Sequence, residues 1–167
     1  MQSNSAFRTW ERSEYVISDD PARMDVAVVH GYLTRSYWAA GVPLEIVRRS
    51  IEHSMVFGLF HGETQIGFAR LVTDRTTFAY LADVFVLEAH RGKGLSKWLM
   101  EVIVGHPEVQ GLRRWMLATR DAHGLYRQFG FTELPQPEVF MQRHHPDVYQ
   151  QPAVEEESQN ETNGRAN

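Results

Sequence analysis

The chain contains no cysteine among its 167 residues. This absence excludes disulfide scaffolds, zinc ribbons, thiol nucleophiles and cysteine-ligated iron–sulfur sites, and it fits a reducing compartment. Long apolar runs are also missing, since none approaches the roughly 18 residues that a membrane-spanning helix needs. The first ten residues are polar and lack the apolar stretch of a signal peptide. We therefore expect a cytoplasmic protein that does not bind a membrane.

An excess of positive charge is absent as well, because 17 basic residues stand against 21 acidic ones. Proteins that bind nucleic acid usually carry a basic stripe, so no nucleic-acid partner is expected. The eight histidines show no metal-ligand spacing with a carboxylate, so no metal site is predicted. The sequence leaves the oligomeric state undecided, and a homodimer remains open.

The composition changes close to the C-terminal end of the chain. From residue 151 onward the sequence reads QPAVEEESQNETNGRAN, which has four glutamates and no aromatic residue. Such a segment buries too little apolar surface to offset the entropy lost on ordering. We therefore predict one folded domain over residues 1–146 and a disordered acidic tail over residues 147–167.

The hydrophobic periodicity alternates between helical and strand spacing along the folded part. It predicts an α/β (α+β) fold in which a mixed, mostly antiparallel sheet is flanked by helices, in the order β-α-α-β-β-β-α-β-α-β. Helices are predicted from Asp20-Pro21, from about Pro43, from Leu95 and over 121–129. Strands are predicted over 15–17, 55–60, 65–72, 78–87 and 115–118, with weaker candidates at 131–134 and 140–142.

The strand over 78–87 is almost continuously apolar, which is typical of a central strand covered on both faces, and Asp83 interrupts it. It leads into the loop Arg91–Ser96 (RGKGLS), which opens an amphipathic helix. A helix that begins after a glycine loop presents free backbone N–H groups and a positive dipole end, a geometry that binds phosphate. A tight turn without a ligand is the structural alternative.

One longer motif contains this loop, and a second motif follows it in the sequence. The stretch LADVFVLEAHRGKGLSKWLM resembles the central motif of the GNAT N-acetyltransferase superfamily, and ATRDAHGLYRQFGF resembles the second motif of that family. The order of one strand, two helices and three antiparallel strands that precedes them is also similar. The resemblance implies a GNAT-like fold over residues 1–146 and acetyl-CoA as the co-substrate.

The resemblance also implies which residues contact acetyl-CoA. Backbone groups near the end of the apolar strand would hold the pantetheine arm, at Val84, Phe85 and Val86. The loop would surround the diphosphate chiefly through backbone N–H groups, at Arg91, Gly92, Lys93, Gly94, Leu95 and Ser96, with Lys97 beside it. Ser96 stands where Gly or Ala is usual. Thr119 stands where the family often has Asn, so it can make one pantetheine hydrogen bond but not the paired amide contact.

Two side chains are candidates for proton transfer. Tyr126 occupies the position of the general acid that the family uses to protonate the departing thiolate; a helix residue packed into the core is the alternative. Asp83 is the candidate that holds the acceptor amine and takes its proton. An ion pair with a residue such as Arg70, or a backbone cap, is the structural alternative for Asp83. A water chain, or His123, one helical turn before Tyr126, is the alternative base.

Three aromatic residues, Tyr32, Tyr37 and Trp38, fall in the region that lines the acceptor pocket in this family, although they are equally suited to a core. The resemblance predicts an N-acetyltransferase that moves an acetyl group to a primary amine of a small molecule by direct attack in a ternary complex. An acetyltransferase for protein N-termini or lysines, and a non-catalytic acyl-CoA-binding module, are the alternatives. The near-neutral body of the chain favours a small amine over a basic polymer.

Overall fold

The computed structural model describes residues 7–150. Within this range six strands and four α-helices follow one another: β1 (Thr9–Arg12), β2 (Tyr15–Ser18), α1 (Val26–Leu33), α2 (Leu44–Glu52), β3 (Met55–His61), β4 (Thr64–Thr73), β5 (Phe78–Val86), α3 (Leu95–Val104), β6 (Arg114–Met116) and α4 (His123–Arg127). None of the described helices combines the length and the apolar character needed to cross a bilayer.

The strands form one sheet in the order β1-β2-β3-β4-β5-β6. All neighbouring strands are antiparallel except β5 and β6, which are parallel. A core that includes Leu99 and Ile103 of α3 covers one face of the sheet, and a second core that includes Val29 of α1 and Val47 of α2 covers the other. The predicted mixed, mostly antiparallel sheet with helices on both sides is therefore confirmed.

The ends of the sheet differ from the prediction. The first strand, β1, was not predicted, because its sequence TWER offers only one apolar residue and its backbone pairs along a largely exposed edge. No strand forms over 131–134 or 140–142 within the described chain. Pro135 and Pro137 lie between these two segments, and Pro137 begins a 3-10 turn instead.

The first helix also begins later than the Asp20-Pro21 signal predicts. Asp20 caps a short 3-10 turn at Pro21–Arg23, where its side chain accepts a hydrogen bond from the Ala22 amide. The α-helix starts after Asp25, whose carboxylate accepts hydrogen bonds from two amides of the first turn. Two aspartates thus provide successive caps, and the second one sets the start of α1.

The C-terminal part of the described chain has little regular structure. Residues 146–150 form a turn, in which the Gln150 amide donates to the Asp147 carbonyl at 2.9 Å. The predicted tail therefore begins, at residues 147–150, within a turn. Its remainder, residues 151–167, lies outside the described residues.

Candidate active site

The candidate site lies where β5 and β6 separate. The two strands pair at three positions, from Phe78 with Arg114 to Tyr80 with Met116. Beyond this point β5 continues to Val86 while β6 ends, so within residues 7–150 the outer edge of the last part of β5 has no strand beside it. A cavity of about 340 Å³ opens between β5 and the segment that follows β6. A free strand edge of this kind can receive an extended ligand through backbone hydrogen bonds.

A β-bulge at Asp83 shapes the inner wall of this cavity. The pairing of β4 with β5 passes from Phe68–Phe85 to Arg70–Ala82, so two residues of β5 lie opposite one residue of β4. Asp83 has φ +57°, in the left-handed region, which aspartate tolerates better than most residues. The bulge turns the side chain of Asp83 into the cavity, where it is one of the lining groups.

The carboxylate of Asp83 is held by two donors. Its Oδ2 accepts a hydrogen bond from Arg70 Nε at 2.6 Å, and its Oδ1 accepts one from Trp38 Nε1 at 3.0 Å. Arg70 is itself fixed by donation to Ser54 Oγ at 3.1 Å. The ion pair that the sequence offered as the structural alternative is therefore present. An ionised carboxylate has about four acceptor positions, so two remain for a ligand that carries a donor.

The aromatic loop between α1 and α2 bridges the two walls of the cavity. Trp38 reaches β5 through Asp83, whereas the neighbouring Tyr37 reaches the segment after β6, where its hydroxyl accepts from the Arg120 amide at 3.1 Å. The Arg120 guanidinium also lies over the Tyr37 ring, 3.9 Å from its centroid. Tyr37 and Trp38 both line the cavity.

Tyr32 has a different place from the one predicted. Its ring stacks on Phe85, with the ring centroids 4.0 Å apart and the planes 10° from parallel. Its hydroxyl accepts a hydrogen bond from Arg91 Nη2 at 3.1 Å, and it is not one of the cavity-lining residues. Tyr32 thus packs α1 against the end of β5 and contacts Arg91 of the glycine loop, and it does not line the cavity.

The loop Arg91–Ser96 has the backbone geometry expected of a phosphate site. Gly92 and Gly94 have φ of +77° and +73°, and among the described residues nothing lies within 4 Å of a Cβ added at either one. In the part of the chain that the structure describes, no side chain caps α3 at its N-cap residue, Gly94, so the amide groups of the first turn lack such a partner. Leu95 is buried and can contribute only its backbone, Ser96 is half-buried, and Lys97 is exposed.

The basic side chains of this loop are held by neutral acceptors. Arg91 Nε donates to the Val86 carbonyl at 2.9 Å, and Lys93 Nζ donates to the Tyr15 hydroxyl at 3.1 Å. These contacts fix the two side chains without neutralising their charge. The Val86 carbonyl, which the resemblance assigned to the pantetheine arm, therefore already accepts one hydrogen bond from Arg91. Val84 is half-buried and lines the cavity.

Tyr126 of α4 also lines this cavity. It is the most buried residue of α4, only 8% exposed, and its ring contacts that of Phe131. This burial agrees with the structural alternative given for Tyr126, a helix residue packed into the core, although Tyr126 is also a cavity-lining residue. Burial raises the pKa of Tyr126 to about 12, with smaller contributions from Tyr37 and Asp121. The phenol is therefore fully protonated at neutral pH and can serve as a proton donor.

Two further predicted residues lie beside Tyr126. Thr119 lines the cavity, and its Oγ1 accepts a hydrogen bond from the Ala122 amide at 3.1 Å, which holds the start of α4. Its hydroxyl hydrogen remains available to a ligand. His123 is exposed and does not line this cavity, but it lines a neighbouring cavity of about 260 Å³ that shares Thr119 and Tyr126.

The sequence did not identify two aromatic residues that line the same cavity, Tyr80 and Tyr149. The alternation of β5 could have indicated Tyr80, because it lies on the face opposite the buried Ala79 and Leu81. No local signal indicates Tyr149, which falls in the segment predicted as tail.

Comparison with known proteins agrees with this geometry. The model of the acetyltransferase (GNAT) family matches residues 6–131, which is most of the chain. A Gibberella zeae protein assigned as an acetyltransferase is 31% identical over 142 residues, covering 71% of this chain and 79% of its own length. The chain therefore belongs to the GNAT family of acetyltransferases. Members of this family use acetyl-CoA.

Two solved structures share the fold of this chain. A protein from Xanthomonas campestris pv. campestris, described as a GNAT-family acetyltransferase, is 46% identical and superposes with a TM-score of 0.80, covering 82% of this chain and 97% of that one. A Clostridium acetobutylicum acetyltransferase, solved with acetyl-CoA, shares the fold at a TM-score of 0.56 with 11% identity, covering 78% of this chain and 94% of its own.

Proposed function

We propose that this chain is an acetyl-CoA-dependent N-acetyltransferase that moves the acetyl group to a primary amine of a small molecule, by direct attack in a ternary complex. One observation carries the proposal: Asp83 and Tyr126 line a single cavity at the point where β5 and β6 diverge. A carboxylate for the incoming amine and a protonated phenol for the leaving thiolate thus face a common space.

The size and walls of the cavity support a small acceptor. Its volume of about 340 Å³ lies within the range of small-molecule sites. Tyr37 and Trp38 form part of its wall, and their hydrogen bonds connect the aromatic loop to Asp83 of β5 and to Arg120 in the segment after β6. Among residues 7–150 the charged side chains that line it are Arg70, Asp83 and Asp121, and the first two form an ion pair. This is not the acidic groove that a basic peptide requires.

The donor side rests on the glycine loop. The uncapped amides at the start of α3 and the charges of Arg91 and Lys93 would hold the diphosphate of acetyl-CoA, while backbone groups of β5 near Val84 would guide the pantetheine arm toward the cavity. The acetyl group supplies the thioester carbonyl that the amine attacks.

On the acceptor side, Asp83 receives a hydrogen bond from the ammonium and takes its proton. The free amine then forms the C–N bond at the thioester carbonyl. Tyr126 donates its proton to the sulfur as the C–S bond breaks, so that CoA leaves as a thiol. The second proton of the amine nitrogen passes to water, which leaves the neutral amide.

A transfer without an acetyl-enzyme is expected because the chain has no cysteine to act as a thiol nucleophile. Initial rates of CoA release, with both substrates varied, should give intersecting double-reciprocal lines. Parallel lines together with an acetylated protein in the mass spectrum would refute direct transfer. The same assay, run on a panel of small amines and a pool of peptides, tests the acceptor class: CoA release with peptides alone would overturn the small-molecule assignment.

A further inference from the structure

The C-terminal segment of the described chain returns to the acceptor side of the site. Its last turn is held by two backbone hydrogen bonds, from Val148 to His145 and from Gln150 to Asp147. A Cβ atom added at Gly41 would lie 3.9 Å from the Tyr149 carbonyl oxygen, so this turn packs on the loop between α1 and α2. The same turn places Tyr149 in the wall of the cavity that contains Asp83 and Tyr126.

Exposed aromatic side chains concentrate at this cavity. Tyr37 is 48% exposed, Trp38 40%, Tyr80 36% and Tyr149 36%, and all four line it. They come from the α1–α2 loop, from β5 and from the C-terminal turn, which are far apart in sequence. Large apolar groups that meet at one concave place while still open to water mark a binding site for a ligand that covers them.

The position of Asp83 in the cavity wall indicates where the positively charged end of a ligand would bind. Asp83 lies on the bulge of β5, with two acceptor positions left after its contacts with Arg70 and Trp38. The four exposed aromatic side chains line the same cavity, together with aliphatic residues. A ligand with a primary ammonium at one end and a flat apolar group at the other matches both features, because the ammonium meets the carboxylate while the flat group contacts the rings.

We propose that Tyr149 is a specificity-determining residue, which completes the aromatic wall of the acceptor cavity and selects primary amines that carry an aromatic group. This inference rests on the acetyl-transfer function proposed above. The cavity that Tyr149 lines has no residue of the Arg91–Ser96 loop in its wall, so its role is assigned to the acceptor. One aromatic contact typically changes affinity by about three- to tenfold, and this is the expected contribution of the Tyr149 ring.

The test compares Tyr149→Ala and Tyr149→Phe with the full-length chain. The measured quantity is the ratio of kcat/KM for 2-phenylethylamine to that for n-propylamine, at saturating acetyl-CoA. Tyr149→Ala should lower this ratio about three- to tenfold, Tyr149→Phe should retain it, and the KM for acetyl-CoA should stay unchanged in both. An unchanged ratio in Tyr149→Ala, or an equal loss of activity toward both amines, would overturn the inference.

Two truncations provide a matched pair. A chain ending at Gln150 keeps the turn and should keep the ratio, whereas a chain ending at Asp147 lacks Tyr149 and should behave as Tyr149→Ala does. Retention of the ratio in the shorter chain would contradict the proposal. The Tm of each variant shows whether the chain still folds, so that a lower ratio can be attributed to loss of the Tyr149 side chain and not to unfolding.

A binding measurement separates failure of this inference from failure of the proposed reaction. If the unaltered chain releases no CoA with either amine, the acetyl-transfer proposal fails for these acceptors. Calorimetry with CoA present then decides the inference by itself. Tighter binding of 2-phenylethylamine than of n-propylamine, with the difference abolished in Tyr149→Ala, supports the aromatic wall. Equal affinities, or no binding of either amine, overturn it.

Discussion

Replacement of Tyr126 by phenylalanine removes the proposed proton donor while keeping the ring that packs against Phe131. General acid assistance is worth about 10²–10⁴-fold in rate, and a thiolate is already a tolerable leaving group, so the low end applies. We expect kcat to fall about 100-fold, equivalent to about 2.7 kcal/mol in the barrier. The KM for acetyl-CoA should change little, because the glycine loop and β5 are untouched.

The pKa of Tyr126 adds a second, independent prediction for the same variant. In the folded chain it is raised from 10 to about 12, mainly by burial. A raised pKa gives stability that is fully present below pH 10 and is lost as the pH rises from 10 toward 12, because the unfolded chain ionises first. Tyr126→Phe has no ionisable group at this position, so its stability does not decrease in this way. Between pH 8 and pH 11 the free energy of unfolding should therefore fall by about 1.4 kcal/mol less in the variant.

Two assays test these expectations. The rate of CoA release across pH tests whether Tyr126 acts as the proton donor. A pre-steady-state burst experiment establishes which step is slow. Urea unfolding at the two pH values reports on burial. Tyr126→Leu is the control, because it loses the ring as well as the hydroxyl and should reduce stability at every pH. Full kcat in Tyr126→Phe, while chemistry is the slow step, would refute the acid assignment.

Three further predictions follow from the same geometry. Gly94→Val places a β-branched residue at φ +73° where the diphosphate should approach; CoA affinity measured by calorimetry should fall sharply in a protein that still folds, and unchanged affinity would refute this placement. Asp83→Asn tolerates the left-handed backbone but removes the charge, so the amine KM should rise and the acidic limb of the pH–rate profile should shift; if neither changes, Asp83 serves only its ion pair with Arg70. A chain ending at Gln150 should retain its Tm and turnover, and a loss of several degrees would show that residues 151–167 contact the folded part.

The features predicted correctly depend on residues that are close in sequence. The glycine loop and the start of α3 are encoded within Arg91–Ser96, where two glycines provide positive φ and the amphipathic pattern follows at once. Helix α2 and strands β3 and β4 were predicted within a few residues because their apolar periodicity is unbroken. The edge strand β1 has no such pattern, since its backbone pairs without burying a face.

The side-chain partners in the site were less accessible to sequence reasoning. Trp38 and Asp83 are separated by 45 residues, and the Tyr37–Arg120 hydrogen bond spans 83. Arg70 was named as a partner for Asp83 only as an alternative, and Tyr149 lies at the start of the segment, residues 147–167, that was predicted as a tail. Such contacts are set by the path of the backbone, which local propensity does not contain.

Asp83, the acid within the apolar strand β5, shows how the sequence pattern and the backbone conformation of the strand are related. Ala79 and Leu81 face the core beneath α3, and strict alternation would place residue 83 on the same side, where an unpaired carboxylate is costly. The bulge at Asp83 shifts the alternation by one, so Val84 and Val86 return to that core while Phe85 enters the core on the other face. After the bulge β5 is therefore covered on both faces, as its apolar run predicts, whereas before the bulge Phe78 and Tyr80 are exposed on one face. The left-handed backbone at one residue keeps the strand buried and turns its only carboxylate toward Arg70 and the cavity.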